Sequence, residues 1–118
     1  MKSLITLLSI FLISLNTESG LAQNPEYQYQ IEVEMNTICS LINDNNVNIR
    51  QRPDASSPII TQLNREDRVR AIRRTGNWIH IVALDSGQSP KPYTPLEGYV
   101  FNKYINGCSK ERFDRWRK

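Results

Sequence analysis

Asn46-Val47-Asn48-Ile49-Arg50-Gln51-Arg52-Pro53 is the stretch on which the fold turns. Val47 and Ile49 fall on one face of an extended chain and Asn48 and Arg50 on the other, the period-two pattern of a strand with one buried side. Pro53 ends it, because proline fixes φ and has no N–H to give a ladder. Just upstream, residues 37–42 form a second strand candidate. Asn43-Asp44-Asn45-Asn46 separates the two, since Asn and Asp tolerate turn dihedrals and bond their own backbone.

The same rhythm continues downstream. Residues 54–58 read as a loop ending at Pro58, residues 59–63 as a short apolar strand, and residues 64–67 as a hairpin tip. Residues 68–73 alternate, with Val69 and Ala71 facing one way and Arg68 and Arg70 the other; Ile72 breaks the alternation and implies a bulge or a change of face. Thr75-Gly76-Asn77 is a turn. Residues 78–84 form the strongest strand, with Ile79 and Ile81 on one face and Trp78, His80 and Val82 on the other. Gly87, Pro90, Pro92 and Pro95 make residues 85–97 irregular. Tyr99-Val100-Phe101 is one more short strand, residues 102–105 a single tight helical turn before the last strand, and Gly107-Cys108 closes the domain. Many short strands punctuated by Gly, Pro and Asn predict an all-β fold, a small barrel of about five to seven strands. Ahead of it, residues 23–36 form a leader in which Ile31-Glu32-Val33-Glu34-Met35 alternates like a strand; a flexible segment fits equally well.

The two ends of the chain carry different signals. Lys2 followed by an apolar run over residues 4–15 and the small-residue site Gly20-Leu21-Ala22 form the pattern of a secretory signal peptide over residues 1–22. The apolar run is short for a spanning helix, which needs about 20 residues; an uncleaved anchor is the competing reading. Export places the two cysteines, Cys39 and Cys108, in an oxidising compartment, periplasmic or extracellular, where such a pair is normally bridged; one reactive thiol is the alternative. Closing so long a loop contributes on the order of 4 kcal/mol in the chain-entropy model. The net charge of +3 favours anionic surfaces weakly and does not argue for nucleic acid. The tail over residues 109–118 is basic; a frayed terminus is the simpler reading, against contact with a membrane surface, which Trp116 among the cations favours.

Taken in order, Val47-Asn48-Ile49-Arg50 with Pro53, Ile59-Ile60 with Leu63, Glu66-Asp67, Trp78-Ile79-His80-Ile81, Gly98-Tyr99-Val100 and Tyr104-Ile105 resemble the bacterial SH3-like (SH3b) family. The resemblance covers roughly residues 37–105 and implies an SH3-like β-barrel, residues 37–108, that binds ligands at the cell envelope, often beside peptidoglycan hydrolases. Two positions depart from the family pattern. Glu66 stands where a glycine usually begins the hairpin tip, and Tyr99 replaces the usual tryptophan.

The sequence offers little for catalysis. His80 is the single histidine, both thiols are expected to be bridged, and a zinc site would need several converging ligands. No Gly-rich phosphate loop or nucleophile elbow occurs. No enzyme activity, metal or cofactor is expected, and His80 reads as a strand residue on the outer or groove face. Binding has better candidates, because small barrels recognise peptides and glycans with aromatic rings beside a few polar groups. Those rings are Trp78, Tyr93, Tyr99 and Tyr104, with Tyr93 presented by the Pro-rich segment; each is equally suited to covering a thin core. Arg68, Arg70 and Arg73 form a candidate anion-capturing hairpin, against the simpler reading of a solvated face. The expected function is a secreted, non-catalytic module that recognises wall peptide or glycan. The alternative is an adaptor or inhibitor acting on another exported protein.

Overall fold

The computed structural model describes residues 24–109. The expected signal segment, residues 1–22, and all of the basic tail except Ser109 lie outside the described residues. Among the described residues, helix α1 (Pro25–Asn36) is followed by seven strands: β1 (Ile38–Ile42), β2 (Val47–Arg50), β3 (Ile59–Leu63), β4 (Arg68–Thr75), β5 (Trp78–Asp85), β6 (Tyr93–Phe101) and β7 (Ile105–Gly107). A 3-10 turn, Asn102–Tyr104, stands before β7, as the sequence predicts. The strands form one antiparallel sheet in the order β3-β2-β6-β5-β4-β1-β7.

The alternation read from the sequence becomes the core. Val47 and Ile49 of β2, Ile79 and Ile81 of β5, Val69 and Ala71 of β4, and Val100 of β6 are all buried in one cluster. Leu63 from one edge strand and Ile105 from the other belong to the same cluster. A flat sheet would hold its two edges far apart, so this shared core requires the sheet to curl into a half-barrel. Gly98 sits where β6 approaches β2 too closely for a side chain: a Cβ there would lie 2.6 Å from Ile49 Cγ2 and 3.0 Å from the Arg50 carbonyl. The bulge expected at Ile72 is present as register shifts between Arg70, Ala71 and Arg73. A matching shift between Ile81 and Ala83 in the pairing of β5 with β6 turns Leu84 toward the barrel core and Ala83 toward a second cluster outside it.

Two findings correct the sequence reading. The segment 31–35 is neither strand nor loose leader but part of α1. Asn24 caps the helix by accepting from the Glu26 and Tyr27 amides at 2.8 and 3.2 Å, and Pro25 occupies the first turn, where a missing N–H costs nothing. Helical winding puts Tyr29 and Val33 one turn apart on the barrel side, where Val33 is buried against Ala83 and Tyr93; Ile31 and Met35 are left in solvent. The second correction concerns the Pro-rich stretch, which is irregular only over residues 86–92. The Ser86 amide donates to the Pro92 carbonyl at 2.8 Å, and β6 begins at Tyr93 rather than Tyr99.

Cys39 and Cys108 form the expected disulfide, with Cα atoms 5.5 Å apart, and the Cys108 amide donates to the Cys39 carbonyl. The bridge ties β1 to the residue after β7 and so locks the last strand onto the sheet. At the hairpin tip, Glu66 adopts φ +77° while its amide donates to the Ile42 carbonyl at 2.9 Å. This left-handed conformation is one that glycine reaches without steric cost.

Candidate functional site

On the outer face of β5 and β6, side chains opposite the core pair across the strands. Trp78 lies opposite Phe101 and His80 opposite Tyr99. The Trp78 and Phe101 rings meet edge to face, with centroids 5.3 Å apart and planes at 74°. Phe101 in turn stands 6.2 Å from Tyr104 at 53°. These three rings form the wall of a groove of about 420 Å³, whose other side is built from residues 44–48, Arg50 and Ala55. The volume is within the range of small-ligand sites, about 300–1,000 Å³.

Each wall is held by identifiable bonds. Asn43 Nδ2 and the Asn43 amide donate to the Lys103 and Tyr104 carbonyls at 3.2 and 3.0 Å, which fixes the 3-10 turn and with it the Tyr104 ring. The Asn102 amide donates to the Asn77 carbonyl at 2.8 Å, joining that turn to the start of β5 beside Trp78. On the opposite side, the Asn46 amide donates to Asn64 Oδ1 at 2.8 Å and the Arg65 amide to Asn45 Oδ1 at 3.2 Å. The loop that presents Ala55 is braced from within. Arg50 Nη1 donates to the Ser57 carbonyl at 2.8 Å, and the Arg52 amide donates to the buried Ser57 hydroxyl at 2.8 Å. Hydrogen bonds from the Ser56 hydroxyl and then its amide hold the Asp54 carboxyl below the usual carboxylate range.

The four aromatic candidates therefore separate. Trp78 and Tyr104 converge in the groove. Tyr99 is on the same sheet face but packs flat against His80, with centroids 4.6 Å apart and planes at 16°. His80 itself is buried, and its Nε2 lies 3.0 Å from Glu97 Oε2. Tyr93 is not an exposed loop aromatic; it is only 7 % exposed, beneath α1. Its amide and carbonyl exchange bonds of 2.9 Å with the Gln30 carboxamide, and its hydroxyl donates to Glu34 Oε1. Burial, followed by the Glu34 hydrogen bond, pushes the phenol up to about 12. With both faces of its role taken by the helix, Tyr93 has no surface to give a ligand.

The arginine hairpin separates as well. Arg70 is buried, donating from Nε to Thr37 Oγ1 at 2.8 Å and from Nη2 to the Thr37 carbonyl at 3.0 Å, with its guanidinium 5.2 Å from the Tyr93 ring centre. It fastens α1 to the barrel and captures nothing from solvent. Arg68 is half-exposed and pairs with Asp85 at 3.4 Å; Arg73 is exposed. The three do not share a surface. Phe101, Asn48 and Arg50 also line the groove, although the sequence reading gives them no binding role. The signal was available for all three: Phe101 is two residues beyond Tyr99 on one strand face, and Asn48 and Arg50 are the outward positions of the opening strand.

Residues 45–106, more than half of the chain, match the family described as Bacterial SH3 domain. The chain belongs to that family. A curled antiparallel sheet with a 3-10 turn ahead of the last strand is consistent with it. Bacterial SH3 domains are binding modules and are generally non-catalytic. Comparison with curated proteins yields no match. Among the described residues, no group of three or more His, Cys, Asp or Glu side chains comes together as a metal site would require.

Proposed function

We propose that this bacterial SH3 domain is an exported, non-catalytic module that recognises cell-wall peptide or glycan in the groove walled by Trp78, Phe101 and Tyr104. The observation that carries the reading is the convergence of three partly exposed rings with the polar residues Asp44, Asn45, Asn46, Asn48 and Arg50 around one concavity. Rings lining a preformed groove bury ligand area at little entropic cost, because the bonds described above already fix them. The disulfide and the signal-like N-terminus support export. The test is retention of the purified protein on wall sacculi. Trp78→Ala, whose side chain is only half-buried, is expected to keep the fold and lose retention by about tenfold or more. Unchanged retention by a folded Trp78→Ala protein removes the groove from the reading.

A second reading, an adaptor for another exported protein, draws on the outer strand β3. Its Ile59 and Ile60 are 49 % and 45 % exposed on a sheet edge that no other described strand covers. A stoichiometric protein partner recovered from the exported fraction, with no retention on sacculi, would favour it.

A further inference from the structure

The polar side of the groove offers donors rather than acceptors. Asp44 is the acid there; its Oδ1 is 3.6 Å from Arg65 Nη2 and also accepts from the Asn45 amide at 2.8 Å. Asn48 is oriented by Gln62, whose Nε2 donates to Asn48 Oδ1 at 2.7 Å, so the Asn48 amide presents its N–H groups and not its oxygen. Arg50 spends Nη1 on the Ser57 carbonyl and has no carboxylate partner among the described residues, which leaves the rest of its fork available. Lys103 adds a further cation 5.5 Å from the centre of the Tyr104 ring. Arg50, Arg65 and Lys103 outnumber Asp44, so the rim carries net positive charge beside an apolar wall.

We infer that the groove reads a peptide carboxylate, taking the C-terminal carboxylate of a short small-residue peptide onto Arg50 and Asn48 while its side chains lie on Trp78, Phe101 and Tyr104. This rests on the groove reading above and specifies what it binds. An arginine fork and an amide N–H match the two oxygens of a carboxylate, and charge-assisted bonds of this kind are roughly twice as strong as neutral ones. The wall favours a peptide over a sugar. Its rings are tilted against one another by 74° and 53° and form a corrugated surface suited to methyl groups, with no shared plane on which successive pyranose faces would lie flat. The volume of about 420 Å³ accommodates a few small residues.

The test compares N-acetyl-trialanine carrying a free C-terminal carboxylate with its C-terminal amide, titrated into the full exported chain and followed by chemical-shift perturbation. The acid is expected to bind at least about tenfold more tightly than the amide, and more weakly as salt is raised. Arg50→Gln is expected to remove the difference between acid and amide. Arg50→Lys, which keeps the charge but loses the fork, is expected to fall between. Equal binding of acid and amide by the wild type overturns the inference, as does absence of binding by either. Should Arg50→Gln unfold, the wild-type comparison decides alone. A trigalacturonate probe that binds while the acid peptide does not overturns the assignment to a peptide. Loss of sacculus retention in Trp78→Ala together with equal binding of acid and amide leaves the groove in place and removes only the carboxylate.

Discussion

Raising the pH should release helix α1 through one residue, Tyr93. Its phenol has an ordinary value of 10.0 when free and about 12 in the folded protein, because burial and the Glu34 hydrogen bond both favour the neutral form. Below pH 10 the phenol is protonated in folded and unfolded chains alike, and its contribution is fully present. Between pH 10 and 12 the unfolded chain loses the proton while the folded one keeps it, so stability falls as pH rises. A difference of about two units corresponds to up to about 2–3 kcal/mol lost across that window. The phenolate would also face the Glu34 carboxylate, and the Gln30 and Arg70 contacts would have to hold the helix against that repulsion. The assay is chemical denaturation from pH 8 to 12 for the wild type and Tyr93→Phe, since subtracting the second curve cancels every other tyrosine and lysine. Tyr93→Phe should be less stable near pH 8, where the phenol's hydrogen bond is intact, and the gap should close as pH approaches 12. Parallel curves across the whole range would refute the placement of the phenol under α1.

Removing the disulfide with Cys39→Ser and Cys108→Ser together should lower the unfolding free energy by about 4 kcal/mol, from chain entropy for a sequence separation of 69; denaturant midpoints check it. A loss below about 1 kcal/mol would mean that the unfolded chain is already constrained. Glu66→Gly should raise stability by about 1 kcal/mol, because it removes the left-handed penalty at φ +77° while the backbone bond to the Ile42 carbonyl stays. A lower melting temperature would show instead that the Glu66 side chain contributes more than its backbone costs.

How far the sequence could be read depends on how local each signal is. Strand alternation is a property of neighbouring residues, so Val47, Ile49, Ile79 and Ile81 declared their buried face directly, and all four are in the core. The Cys39–Cys108 pairing followed from there being two cysteines and a signal-like N-terminus. The 3-10 turn before β7 and the bulge near Ile72 were legible for the same local reason.

The helix was not. Ile31, Val33 and Met35 alternate as a strand would, and only the barrel surface reveals that Val33 alone of the three is to be buried. Whether an aromatic or an arginine is available to a ligand depends equally on what lies over it. α1 covers Arg70 and Tyr93 from 36 and 63 residues away in sequence, a distance no local pattern spans. The groove likewise joins Asn48 and Arg50 to Trp78, Phe101 and Tyr104 only once β2, β6 and β5 have paired side by side in the sheet. The chain by itself determined most of the strands, which of their faces would be apolar and which sulfurs would meet, because these follow from period-two patterning and from composition. Strand pairing and helix docking decided which polar and aromatic side chains face solvent together, because burial is a property of surfaces brought into contact by folding.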